Sequence, residues 1–344
     1  MKKNQKGISI LSIILLIFII IVAGIIYTSI ANNEHEMELA YENYYQEQVY
    51  NQTNEAKRYY YNQISKPAQI MYDTILMNVD MIKSGTEPIK FPSSVGESIN
   101  ELGSNSDNNY FQTAWDALSL DNLNFFFVDT KKLTVSSKTT SLFGYRSYEF
   151  TLEPIEGSTY YNSTFTNRTE VDTALKQVEA VANSIISEAK GSTYTKVKYI
   201  HDWIVDNVEY DNDNLENHDN IYGTFINRKV VCEGYAEAFK YLLDKLNIPC
   251  VLVYGVGYDN NGNVEAHAWN YVKMEDGKWY AVDTTWDDPI YVGRSGIFAS
   301  SSRKYEYFLK GSNTFNRNHI NDGDVSGTGQ NFVYPELSTT DYKR

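Results

Sequence analysis

The sequence predicts an α+β protein that follows an N-terminal transmembrane helix. Three patterns support this prediction: an uncharged apolar run over residues 8–31, amphipathic helical periodicity after Cys232, and strand-like alternation over residues 266–274 and 278–286. Hydrophobic residues make up 42% of the 344-residue chain, which is enough for a packed core. The length is typical of about two domains besides the N-terminal segment.

The N-terminal apolar run predicts a membrane anchor at residues 1–31. It extends over about 24 residues, or roughly 36 Å of helix, which is enough to cross the hydrocarbon layer with some tilt. Lys2, Lys3 and Lys6 precede it, so its N-terminus is predicted to stay in the cytoplasm and the rest of the chain to lie outside. The alternative is a signal peptide cleaved near Ser29 and Ala31, but its apolar region would normally be only 7 to 15 residues long.

The region between the anchor and residue 168 gives weaker signals. Residues 32–84 are polar and rich in tyrosine, with helical spacing that Pro67 interrupts, and predict a membrane-proximal helical stalk. Its tyrosines could bind glycans or wall polymer, but helix packing is the simpler interpretation. Residues 85–109 are rich in Gly, Pro, Ser and Asn and predict a linker. A short helix running into a strand is expected over residues 110–130, with further strands after it.

Composition excludes several classes of function. The formal charge of −14 and the pI near 4.9 argue against a nucleic-acid partner, because binding a polyanion needs a concentrated basic surface. The chain has only two cysteines and no CxxC pair. We therefore expect neither a disulfide framework nor a structural zinc site.

Cys232 is the first candidate for chemistry. The positions after it place apolar residues on one face of a helix that Asn247 and Pro249 end, so Cys232 is predicted in the first helical turn. Unsatisfied backbone N–H groups there favour an anion, which would help a nucleophilic thiolate and contribute to an oxyanion hole. A lone cysteine is more often simple packing, and we assign Cys250, at the start of an apolar strand, to that class.

His267 is the candidate base, and Asp283 is the residue that would orient it. A three-residue loop over residues 275–277 pairs Met274 with Lys278, which places His267 and Asp283 on one face of a hairpin as diagonal neighbours. A slip of one residue would put them on opposite faces. A carboxylate in this position would fix the imidazole tautomer and stabilise the imidazolium.

Together these residues favour a Cys232–His267–Asp283 catalytic triad over three unrelated structural residues. A metal site made from the same three side chains is conceivable, but no fourth protein ligand is evident. The sequence therefore predicts no metal and no cofactor.

The sequence resembles the transglutaminase-like superfamily, which has a papain-like fold. The segments that carry this resemblance are VVCEGYAEAFKYLLDKLNIPCVLVYGVG and AHAWNYVKMEDGKWYAVDTTWDDP, within a match over residues 193–289 that includes Tyr210 and Asp211. Weaker similarity on both sides is typical of membrane-anchored bacterial members. The resemblance implies a cysteine-bearing helix packed on an antiparallel sheet that carries His267 and Asp283, with Cys232 as the nucleophile. One departure is Val230, where many members have glycine or alanine, and a bulkier residue there would narrow the approach to the thiol.

The resemblance extends to further positions. Trp269 and Trp286 match family residues, and we interpret them first as packing around the site and second as substrate contacts. His201 and His319 lie in matching segments and are expected to be structural. The zinc-binding cysteine pairs of the peptide N-glycanase branch are absent, and no calcium-loop signature is evident.

The resulting functional prediction is an extracytoplasmic cysteine-dependent acyl-transfer enzyme that acts on amide bonds of proteins or peptides. Water as the acceptor would make it a peptidase or deamidase, and a lysine would make it a transglutaminase. The alternative is a non-catalytic cell-surface binding or assembly module with the same fold. The predicted segments are the anchor (1–31), the stalk (32–84), a linker and mixed α/β region of unknown role (85–168), the catalytic domain (169–335) and a tail (336–344).

Overall fold

The computed structural model describes residues 10–50, 56–102, 109–142, 145–258, 262–288, 304–327 and 330–344. The three lysines on which the predicted membrane orientation rests lie outside these ranges. Helix α1, Ile10–Tyr50, holds the apolar run and continues through the tyrosine-rich segment. Its stretch Ile17–Tyr44 is long and apolar enough to cross a membrane by length and composition. Such an N-terminal helix is a membrane anchor or a signal sequence.

The C-terminal part of α1 contacts the body of the protein. Tyr41 is buried, and its hydroxyl accepts a hydrogen bond from Lys66 Nζ at 3.3 Å. Glu38 accepts hydrogen bonds from the hydroxyls of Ser93 and Ser94. These contacts tie the helix to the elements that follow it.

Residues 56–165 form helices and a small sheet that pack into the main core. The helices are α2 (Lys66–Met77), α3 (Val79–Ile82), α4 (Ser94–Leu102) and α5 (Tyr110–Asp121). The strands β1 (Ile89–Lys90), β2 (Leu133–Leu142) and β3 (Tyr145–Pro154) form an antiparallel sheet in the order β1-β3-β2. Pro67 lies near the N-terminus of α2, where its missing N–H costs nothing.

Two local predictions for this region are wrong. The predicted linker contains β1 and α4, because Ile89, Phe91 and Val95 bury apolar side chains that its polar composition obscured. The strand expected after α5 is a pair of 3₁₀ turns, Leu123–Phe125 and Thr130–Lys132. The strands expected next are present as β2 and β3.

Residues 168–344 contain the sheet on which the candidate site is built. The helices are α6 (Arg168–Glu188), α7 (Thr193–Asn207), α8 (Cys232–Lys245) and α9 (Ser312–Phe315). The short strands β4 (Glu209–Tyr210) and β5 (Lys229–Val230) pair in parallel. The strands β6 (Cys250–Tyr258), β7 (Val264–Lys273), β8 (Trp279–Val282) and β9 (His319–Asn321) form an antiparallel sheet in the order β8-β7-β6-β9. Helix α8 packs on β6 and β7, so the predicted α+β, papain-like fold class is confirmed.

Local signals explain where α6 and α7 begin. The Asn167 side chain accepts a hydrogen bond from the N–H of Glu170, and the Ser192 side chain accepts one from Thr195. These N-caps satisfy backbone donors that the helices leave open. Gly191 has a φ of +92°, so the reversal between the two helices uses a backbone conformation that favours glycine.

One hydrophobic core spans the segments predicted from the sequence. It runs from Tyr60 in the predicted stalk to Phe239 in α8 and Leu252 in β6. The Tyr60 hydroxyl donates a hydrogen bond to the carbonyl of Leu252, and Ser338 of the predicted tail donates to the carbonyl of Trp279. The core therefore crosses the boundaries placed at residues 84 and 168, and that division of the chain stays a prediction.

The β7–β8 hairpin has the predicted register. Lys273 lies opposite Trp279, and Asn270 lies opposite Val282. The N–H of Met274 donates to the carbonyl of Lys278 at 3.0 Å, and Gly277 takes a φ of +78° in the loop. This register fixes which side chains share the face of the sheet that carries the candidate site.

Candidate active site

Cys232 is the first residue of α8 and is partly exposed with a free thiol. The preceding residue, Val231, gives the helix no side-chain cap, so the N–H groups of the first turn remain available to an anion. The other cysteine, Cys250, is fully buried, and burial raises the pKa of its thiol well above the usual value. The two thiols therefore have different surroundings, as the sequence predicted.

Val230, two residues before Cys232, is a core residue. Its side chain is fully buried and faces Gly223 and Gly234, at each of which a Cβ atom would come within 3 Å of it. The two glycines thus provide the space that the valine occupies. The Val230 side chain therefore packs in the core, and the expected narrowing of the approach to Cys232 stays a prediction.

His267 lies on β7 with its ring held by Asp283. Its Nε2 atom is 2.7 Å from Asp283 Oδ2, and the residue is 3% exposed. Burial lowers the pKa of His267, but the charge and hydrogen bond of Asp283, together with the contact to Cys232, raise it to about 10. Since Asp283 occupies Nε2, the other ring nitrogen is the one that can exchange a proton with the thiol.

Asp283 follows β8 directly and is completely buried. Its Oδ1 atom accepts hydrogen bonds from the N–H groups of Thr285 at 3.0 Å and Trp286 at 3.1 Å. Burial by itself would raise the pKa of Asp283, but His267 and the other donors outweigh it and hold the pKa far below its usual range. The carboxylate is therefore ionised and can act only as an acceptor.

His319 is the residue at this site that the sequence did not assign to it. Its Nε2 atom lies 3.1 Å from Asp283 Oδ2, the same oxygen that binds His267. It was expected to be structural, and the only signal for it was its place in a segment that resembles the family. Its distance along the chain from the hairpin gave no reason to connect it with Asp283.

Trp286 and Trp269 pack around His267. The Trp286 ring stacks on the imidazole with centroids 4.9 Å apart and an angle of 25°, and Trp269 lies 5.8 Å from it. Their exposed fractions are 8% and 1%. Packing is thus evident for both, and a substrate contact by either stays a prediction.

The segment that follows Asp283 is anchored to two helices. Asp287 Oδ2 lies 3.0 Å from Nε2 of the buried His201 on α7, and the Tyr235 hydroxyl on α8 donates to Asp288 Oδ2 at 2.6 Å. These contacts tie Asp287 and Asp288 to α7 and α8. His201 has a role in packing here, away from the Cys232 thiol.

Metal binding is not the chemistry that this geometry favours. Within the part of the chain that the structure describes, His267, Asp283 and His319 bring potential ligand atoms within 4.8 Å of one another. Each imidazole, however, already uses its Nε2 atom in a hydrogen bond with the carboxylate. A metal would have to replace both of these bonds.

Residues 179–284 match the family model described as "Transglutaminase-like superfamily", a segment that includes Cys232, His267 and Asp283. None of the curated protein sequences matches the chain.

Several solved structures are similar over part of the chain. A structure described as a TGase has 16% identity and a TM-score of 0.30, covering 52% of this chain and 50% of its own. A proposed cysteine protease from Cytophaga hutchinsonii has 18% identity and a TM-score of 0.27, and the match covers 46% of this chain and 68% of the other. The periplasmic domain of TgpA from Pseudomonas aeruginosa, bound to ethylmercury, has 17% identity and a TM-score of 0.26, and the match covers 46% of this chain and 66% of the other. The chain thus spans half the length of the first of these, and likeness at this level carries no functional argument. The family match over residues 179–284 is the finding that supports a transglutaminase-like domain in that part of the chain.

Proposed function

We propose that this protein is a cysteine-dependent acyl-transfer enzyme that acts on amide bonds of proteins or peptides, with Cys232, His267 and Asp283 as its catalytic triad. The observation that carries the proposal is the placement of His267. One ring nitrogen is held 2.7 Å from a buried carboxylate, and a partly exposed thiol at the start of a helix is close enough to raise the pKa of the imidazole. This arrangement pairs an activated nucleophile with an oriented base.

The reaction begins with transfer of the thiol proton from Cys232 to His267. The thiolate attacks the amide carbonyl, and the N–H groups at the start of α8 stabilise the oxyanion. Collapse of the tetrahedral intermediate breaks the C–N bond, and the imidazolium gives its proton to the departing amine or ammonia. The resulting thioester passes its acyl group either to water, which restores a carboxylate, or to a second amine, which forms a new amide.

The substrates are proposed to lie outside the cytoplasm. Three lysines precede the apolar run, and basic residues on one flank keep that side of a membrane helix in the cytoplasm. Surface proteins and cell-wall peptides are then the amide substrates within reach of the anchored domain.

The test is the alkylation rate of Cys232 against pH, measured on the full-length protein in detergent by mass analysis of the Cys232 peptide. A free thiol reacts appreciably only as the pH approaches about 8.5. We expect alkylation to stay fast below about pH 7 in the parent and to lose this low-pH reactivity in His267→Ala, because the imidazolium that balances the thiolate is gone.

Substrate chemistry is tested with peptide libraries in the presence of an amine donor, with Cys232→Ala as the control. Cleavage, ammonia release or amine incorporation that requires Cys232 would support the proposal and identify the acceptor. A slow, thiol-like profile in the parent, with none of these products, would sink it and favour a non-catalytic surface module.

A further inference from the structure

We propose that His319 is a positioning residue of the triad, which holds the Asp283 carboxylate in the orientation that His267 requires. This inference rests on the proposed function. It adds a fourth side chain to the site, and that side chain lies beyond the segment that matches the family model, which ends at residue 284.

The first argument is the complete use of Asp283 as an acceptor. An ionised carboxylate offers about four acceptor positions. Oδ1 takes the N–H groups of Thr285 and Trp286, and Oδ2 takes Nε2 of His267 at 2.7 Å and of His319 at 3.1 Å. Because every position is occupied, the carboxylate cannot turn away from His267 without breaking other hydrogen bonds.

The second argument is that the His319 ring is itself held firmly. It stacks on Phe315 with centroids 3.9 Å apart and an angle of 20°, and it lies 4.4 Å from the Trp286 ring. Its backbone belongs to β9, where it pairs with Gly257 of β6. A ring fixed by the sheet and by aromatic packing can fix the carboxylate that it contacts.

The third argument concerns which histidine carries the charge. Burial and the neighbouring His267 lower the pKa of His319, whereas the pKa of His267 is raised. The charged and titratable groups nearest to Asp283 are these two histidines, with Asp287 and Tyr307 further out. Since the ionised carboxylate can only accept, His319 donates to it from Nε2, while its Nδ1 atom lies 3.0 Å from Asn318 Oδ1. The opposite directions of the two pKa shifts favour the imidazolium charge on His267 over His319.

The experiment compares His319→Phe with His319→Gln in the full-length protein. Phenylalanine keeps the ring but removes the donor, and the terminal amide of glutamine can replace the Nε2–H donor. Hydrogen bonds to charged groups are strong enough that losing one should lower Cys232 alkylation at pH 6 about tenfold. We expect this loss in the Phe variant and a rate within about threefold of the parent in the Gln variant.

The matched control is His201→Gln. His201 is also completely buried and bonded to an aspartate, Asp287, but it does not contact Asp283 or the thiol. We expect its alkylation profile to follow the parent once the rate is corrected for the folded fraction. This control separates the loss of a buried histidine from the loss of the donor to Asp283.

The experiment separates failure of the inference about His319 from failure of the proposed catalytic triad. A parent that lacks fast alkylation at low pH refutes the triad, and the role of His319 falls with it. If the parent does show fast alkylation at low pH and the His319→Phe profile is unchanged, only the inference about His319 is refuted. An equal loss of alkylation in the Phe and Gln variants refutes it as well. If His319→Phe does not fold, ring ¹⁵N NMR of the parent decides: a protonated Nε2 at His319 supports the inference, and an Nε2 that carries no proton overturns it.

Discussion

Replacing Asp283 with asparagine should change the proton chemistry of His267 more than any other conservative substitution at the site. The amide oxygen can still accept the hydrogen bonds from the N–H groups of Thr285 and Trp286. The amide nitrogen would then face the Nε2 atoms of His267 and His319. The substitution thus keeps the shape of the side chain and removes its charge.

The size of the expected change follows from two opposing effects on the pKa of His267. Burial lowers the pKa of His267, and Asp283 is the main reason that it is nevertheless raised to about 10, from an ordinary value of 6.5. Without the carboxylate, burial should bring the pKa below 6.5, a fall of more than about three units. This corresponds to on the order of 4–5 kcal/mol, or a decrease of roughly a thousandfold or more in the thiolate–imidazolium pair.

The assay is a ring ¹⁵N NMR titration of His267 in the full-length protein from pH 5 to pH 11, with Asp287→Asn as the control. Asp287 lies in the same backbone segment and is equally buried, but it bonds His201. We expect the control to leave the His267 titration within about half a unit of the parent. If His267 in Asp283→Asn still titrates above pH 8, the carboxylate is not what charges the imidazole, and the argument for the triad electrostatics is wrong.

Three further substitutions test other parts of the structure. Glu233 accepts a hydrogen bond from the Tyr254 hydroxyl, and burial raises its pKa to about 7. Folding stability should therefore fall as the pH rises from about 4.5 to 7. In urea denaturation, Glu233→Gln should be about 1–2 kcal/mol more stable than the parent at pH 8 and no more stable at pH 4. A Cβ on Gly257 would lie 2.6 Å from the Trp286 ring, so Gly257→Ala should lower Cys232 alkylation at pH 6 at least several-fold, and an unchanged rate would contradict this packing. Lys240 is 1% exposed and forms an ion pair with Asp244 at 2.5 Å. Lys240→Met should therefore cost about 3 kcal/mol, because it removes the cation that balances the carboxylates of Asp244 and Asp121, and equal urea midpoints for variant and parent would refute that.

The hairpin and the start of α8 were predictable because short-range chemistry determines them. A period of two along β7 and β8, with a glycine in a three-residue loop, allows one register that buries the apolar face. The pairing of Asn270 with Val282 follows from that register. Cys232 begins α8 because the apolar periodicity begins just after it. His267 and Asp283 therefore meet through contacts only 16 residues apart.

The environment of the polar face of α8 was not predictable in the same way. Helical periodicity treats Glu233 and Lys240 as solvent-facing, yet the pKa of Glu233 is raised by burial and Lys240 is almost fully buried. The cause lies far away in sequence. Asp121 at the end of α5 is close enough to contribute to the raised pKa of Lys240, and Tyr60 reaches across to β6. Periodicity reports which face is apolar and contains no information about a distant segment that covers the other face.

The glycines of β6 explain how two histidines reach one carboxylate. β6 lies between β7 and β9, with Gly255 opposite His267 and Gly257 opposite His319. Residues directly opposite each other share a face of the sheet, so both imidazoles project from the same side, separated by a strand that has no side chain at either position. A Cβ on Gly257 would lie 3.5 Å from His267 Cδ2 and would collide with the Trp286 ring that stacks on His267. Glycine at alternate positions in a strand is the signature of a close approach. The sequence YGVGY therefore marks β6 as a strand that other groups approach closely, but it does not indicate β9 or His319.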